Sequence, residues 1–216
     1  MNRGELRAAW RIRVMDTEAP YLWSDHEFAE FLDEAQVEAC RRAHLLVDSS
    51  SGLTQANISA LERFVEIDSR IIFVRRARIG RQVLQQTTAR AMDAQIPAWE
   101  SCGAGAPLAY LTDWQTGGVA LYPPPAMDGV LSMTVVRDPL NPLFTDEDSP
   151  EISPRYHLSL LHWVSFRAYS KQDPDAQDQK AAANSLALFE AEFGPRTGAI
   201  NERYSLENYS GHGDFQ

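Results

Sequence analysis

The hydrophobic period of this chain changes twice. Apolar residues recur at helical spacing up to about residue 53, at strand spacing from about 54 to 137, and at helical spacing again up to about 195. Each helical stripe exposes an apolar face that it cannot bury alone, so the outer segments are expected to pack on each other. The reading is an α+β fold: a four-helix bundle of two helical hairpins (1–53 and 138–195), a mostly β insertion (54–137) and an extended C-terminal tail (196–216). With 216 residues, 44% of them hydrophobic, the chain is long enough for a sizeable core. A chain of this size buries roughly 70% of its unfolded surface and needs neither disulfide nor metal to fold.

The helix signals are specific. Leu6 and Trp10 share a stripe in the first helix, with Arg3, Arg7 and Arg11 on another. Ser24-Asp25-His26-Glu27 spells a capping box, preceded by Trp23 and followed by Phe28, which supplies a hydrophobic staple. Phe28, Phe31, Leu32, Ala35 and Ala39 continue that face. In the second helical segment Ser153-Pro154 predicts one start and Asp173-Pro174 another, and Gly194-Pro195 predicts the stop. Between the helical segments, 64–67, 71–74, 106–114, 119–122 and 130–136 are β-branched and aromatic and read as strands. Gly117-Gly118, Pro123-Pro124-Pro125 and Asp128-Gly129 punctuate them, and 88–94 reads as a short helix.

Composition excludes several classes of function. Twenty Lys plus Arg against 30 Asp plus Glu give a net charge of −10, which repels nucleic-acid backbones and makes the whole molecule a poor free DNA binder. Cys40 and Cys102 are far apart, in keeping with a reduced setting. The N-terminal residues lack the apolar core of a signal peptide, and no apolar run reaches the ~20 residues of a membrane span, so no membrane partner is expected.

Catalytic signatures are missing. His157 and His162 are five apart, on different sides of a helix, unlike a helical zinc pair. Asp146-Glu147-Asp148 and Glu151 lack calcium-loop spacing and read as a solvated loop. There is no Gly-x-Ser-x-Gly elbow, and Gly103-Ala104-Gly105 lacks the lysine of a phosphate loop. The expectation is a non-enzyme without cofactor or metal. Two features stand out instead. From Arg70 to Arg90 every charged residue is an arginine, including Arg75, Arg76, Arg78 and Arg81. Strand alternation puts Arg76 and Arg78 on one face and Arg75 on the other. They read either as charges guarding a strand edge or as a contact for phosphate or an acidic partner. The tail carries Tyr204, Leu206, Tyr209 and Phe215 in a polar context, as a segment that orders on a partner does. Trp99 and Trp114 leave room for a carbohydrate-binding or hydrolytic module, although aromatics at strand spacing are more often core or interface.

Leu22-Trp23-Ser24-Asp25-His26-Glu27-Phe28 with Leu32-Asp33-Glu34-Ala35-Gln36 resembles the opening helical segment of the head-to-tail adaptor (connector) proteins of tailed bacteriophages. Ile152-Ser153-Pro154-Arg155-Tyr156-His157, Ala168-Tyr169-Ser170-Lys171-Gln172-Asp173 and the Ala-rich helix ending at Phe189 to Gly194 resemble the same group, in order. The resemblance implies a structural virion protein of the neck, assembled in the host cytoplasm. Such proteins form a ring, commonly of twelve copies, beneath the portal, with a lumen that passes DNA and a distal face that meets a tail or nozzle protein. It also implies a portal-docking role for the tail residues Tyr204, Leu206, Tyr209 and Phe215. A tail-tube or baseplate ring subunit is the alternative in the same structural class.

Overall fold

The computed structural model describes residues 1–171 and 177–196. They divide into two compact units, residues 1–46 with 138–196, and residues 47–137.

The first unit is helical. Helix α1 (Arg3–Val14) starts at a capping box in which Asn2 accepts the Glu5 amide and Glu5 accepts the Asn2 amide. Helix α2 (Asp25–Ala43) starts at the box predicted from Ser24 and Glu27, with both reciprocal bonds made at 3.2 and 2.9 Å. After β-rich residues 47–137, which contain helix α3 (Ala89–Gln95), come α4 (His157–Tyr169) and α5 (Gln179–Phe193). The cap of α5 is Asp178, whose side chain accepts from the Lys180 and Ala181 amides; Asp173-Pro174 lies outside the described residues. Leu6, Trp10, Trp23, Phe28, Leu160, Val164 and Phe189 belong to one apolar cluster.

The expectation of a four-helix bundle built from two hairpins is wrong. The described residues form five helices and an eight-stranded mixed sheet. In the helical unit only the second hairpin, α4 with α5, pairs closely. Helices α1 and α2 meet only slightly, and α4 is the neighbour shared by α1, α2 and α5. Its buried residues, Leu160, Leu161, Trp163, Val164, Ser165 and Ala168, occupy much of its circumference, so it can serve several partners at once. A stripe in sequence reveals that a helix has an apolar face, but not which helix covers it.

The second unit is the sheet, ordered β1 (Val47–Asp48), β8 (Gly129–Arg137), β4 (Ile71–Ile79), β5 (Gln82–Thr87), β6 (Ala109–Leu111), β7 (Gly118–Tyr122) and β3 (Phe64–Glu66), with β2 (Gln55–Ile58) also on β8. All pairs are antiparallel except β5 with β6. Strand β5 changes partner along its length: Gln82 to Leu84 pair with β4, and Gln85 to Thr87 with β6. The sheet curls into a half-barrel, and β2 and β3 approach each other although they stand apart in the strand order. Val74, Ala77, Leu84, Tyr110, Leu121, Leu131, Met133 and Val135 fill its interior. The sheet is thus a core in its own right, not an appendage.

Candidate functional site

The arginine-rich stretch forms β4 and the turn after it. Strand β4 carries two bulges against β8, because Ile71 and Phe73 oppose Arg137 and Val136, and Val74 and Arg76 oppose Val135 and Thr134. Arg75 is the extra residue of the second bulge. Val74 and Ala77 point inward and are buried, whereas Arg75, Arg76 and Arg78 are all exposed. Strict alternation would have turned Arg75 to the face opposite Arg76; the bulge breaks that alternation. The Arg75 guanidinium lies 5.9 Å from the ring centroid of Phe73.

The β4–β5 hairpin turns through Gly80 and Arg81, between the paired residues Ile79 and Gln82. Gly80 has φ of 56°, the left-handed backbone that glycine supplies at the first central position of a tight hairpin turn. This tight turn places Arg81 next to the outward face of β4. On the neighbouring strand, Ser132 pairs with Arg78 and Thr134 with Arg76. Arg76, Arg78, Arg81, Ser49, Ser132 and Thr134 line an open groove of about 450 Å³.

The groove presents donors. Arg78 donates to the carbonyl of Gly80 at 3.1 Å. Among the described residues, no carboxylate pairs with Arg75, Arg76, Arg78 or Arg81. Asp68 is taken by Arg70 at 2.7 Å, and Asp48, just before Ser49, by Arg137 at 2.7 Å. Burial pushes the Asp48 carboxyl up, but the amides of Ser50 and Ser51 and the guanidinium of Arg137 outweigh it and hold it well below the usual carboxylate range. The arrangement can accept an oxyanion through guanidinium and hydroxyl donors together.

Sequence reasoning singled out Arg75, Arg76 and Arg78 but missed Ser132 and Thr134, which cross-strand register alone brings to them, and Ser49, which follows β1. Arg81 carried a signal, since Gly-Arg between two strand-like runs is a hairpin turn. The predicted tail contacts Tyr204, Leu206, Tyr209 and Phe215 lie outside the described residues.

The other constellations are accounted for by packing. Trp99 is buried and donates to Asp93 at 2.8 Å, and Trp114 packs on it edge to face, so the two do not form an exposed stacking platform. Buried His157 bonds Ile152 through Nε2 and the Met1 amino group through Nδ1, both at 3.0 Å. Burial and the nearby Arg13 lower the pKa of His162. Asp146 does not belong to a loose acidic loop: it receives Arg3 and Arg7, which hold its carboxyl below the usual range. The amide of Gly105 is spent on the carbonyl of Pro124 at 2.8 Å. Among the described residues no group of three His, Cys, Asp or Glu is placed to hold a metal ion, and no helix is long and apolar enough to cross a membrane.

A family model described as SU10 adaptor protein matches residues 1–210. No curated protein sequence matches the chain.

Proposed function

This chain belongs to the SU10 adaptor protein family, a family of phage head-tail adaptors, and on that premise we propose that it is a ring subunit of the virion neck that docks beneath the portal. The observation that carries the reading is the extent of the match, which takes in both compact units and most of the C-terminal segment. In this reading, copies associate head to tail through two different surfaces and close into a ring, twelve copies being the number implied by the resemblance. The lumen passes DNA and the distal face receives a tail or nozzle protein. Residues 196–216 supply the portal contact through Tyr204, Leu206, Tyr209 and Phe215. These apolar side chains are spaced along a polar segment, which suits a strap that is ordered by its partner.

The test is attachment to portal rings of the same phage. Full-length protein is expected to co-sediment with the portal as an assembled ring, while protein lacking residues 196–216 stays in the supernatant with an unchanged circular dichroism spectrum. Equal co-sedimentation of the two forms would defeat the tail's assigned role. Electron microscopy of the virion that places the subunit in the tail tube or baseplate would defeat the neck assignment.

A further inference from the structure

We infer that the groove between β4, the β4–β5 turn and β8 binds the phosphodiester backbone of DNA without regard to base sequence. The inference deepens the adaptor reading and rests on it only for the choice of nucleic acid over other polyanions. Its physical basis is the groove. Arg76 and Arg78 stand two strand positions apart on the same outward face, about 6.7 Å along the strand. That step is comparable with the separation of successive phosphates along one nucleic-acid strand. Arg81 extends the row at the turn, and Ser132 and Thr134 add a hydroxyl beside each strand arginine. Guanidinium and hydroxyl donors with no base-reading element are the chemistry of backbone contacts, which position a duplex but carry no sequence information.

The charge balance permits this in a chain of net charge −10. Residues 47–137 contain eight arginines and eight acidic residues, whereas 1–46 with 138–196 contain 11 basic against 19 acidic residues. Eight of the ten net negative charges therefore belong to the helical unit and the other two to residues 197–216, none to the sheet unit. Within the sheet unit the arginines are gathered and the acids lie elsewhere in the sequence, with Asp48 and Asp68 already bonded to other arginines. An acidic protein segment would also meet the guanidinium groups. However, the groove adds only Val83 and Met133 as apolar lining, and Met133 is buried, which leaves little to anchor the side chains of a peptide. Contact through about three phosphates is weak and reversible, as sliding DNA requires.

The experiment is a fluorescence-anisotropy titration of a labelled random-sequence duplex with full-length protein between 50 and 200 mM salt. Three phosphate contacts give a slope of log affinity on log salt of about −2.7, so affinity falls about 40-fold across that range. R76Q/R78Q/R81Q is expected to abolish binding with an unchanged melting temperature, because all three side chains are exposed. Should that variant fail to fold, R76Q alone must reduce the slope by about 0.9. R90Q, an exposed arginine on α3 outside the groove, must leave binding unchanged. Absence of binding by the wild type, equal binding by the triple variant, or tighter binding of a poly-glutamate peptide than of DNA would each overturn the inference, the last in favour of an acidic protein partner. Portal co-sedimentation of the triple variant reports separately on the adaptor reading.

Discussion

Asp48 is the most committed carboxylate of the sheet unit. Its side chain is 8% exposed, receives the Nε of Arg137 at 2.7 Å, and accepts the amides of Ser50 and Ser51 at 2.9 and 3.1 Å. Asp48→Ala removes the carboxylate from a guanidinium that is itself only 11% exposed, and is expected to cost about 3–5 kcal/mol in urea denaturation. Because folding lowers the pKa of Asp48, its stabilisation is complete above the ordinary carboxylate value of about 3.9 and drains away as pH falls below it. Stability measured from pH 6 down to pH 3 should therefore fall more steeply for the wild type than for Asp48→Asn; parallel curves would contradict the assignment. A second residue prediction concerns Trp10, whose buried indole donates to Ser165 at 3.1 Å. Ser165→Ala leaves that donor without its acceptor and should cost about 1–3 kcal/mol by the same measurement.

At the scale of elements, strand pairing depends on close approach as much as on side-chain character. A Cβ on Gly118 would lie 2.3 Å from the carbonyl oxygen of Val65 and 2.5 Å from the ring of Phe64, at the end of the β3–β7 pair where Gly118 opposes Glu66. Gly118→Ala should cost about 1–3 kcal/mol and lower the thermal midpoint, whereas Gly129→Ala, with nothing within 4 Å of the added atom, should be far milder. Gly118 also marks how much was legible in sequence. Gly117-Gly118 announces a turn, and only the register shows that the second glycine sits under another strand. Local chemistry was readable where it closes on itself: the Ser24–Glu27 box needs four consecutive residues and no knowledge of the rest. Pairings decided at a distance were not. The bulge at Arg75 is set by the ladder with β8, the divided pairing of β5 by where the chain returns after α3, and the central position of α4 by three helices competing for one apolar surface. The groove lay between these cases, with its arginines visible as a run and the hydroxyls of Ser132 and Thr134 supplied from more than fifty positions away.

At the scale of the whole molecule, each unit carries its own apolar cluster, and the sheet unit has a second one around Met92, Trp99, Leu111 and Ala120. A fragment spanning 47–137 contains every strand of the described residues and both of these clusters, so it is expected to fold alone, with dispersed amide resonances in an NMR spectrum; a collapsed, unstructured spectrum would show that it needs the helical residues. The register at its margins adds a further consequence. Val47 and Val136 are cross-strand partners on β1 and β8, so the polypeptide enters and leaves the sheet unit through neighbouring positions about 5 Å apart. That makes the unit a cassette: a recombination event, or an engineer, can splice in any module whose ends meet at a similar gap and leave the helical framework's own sequence unaltered.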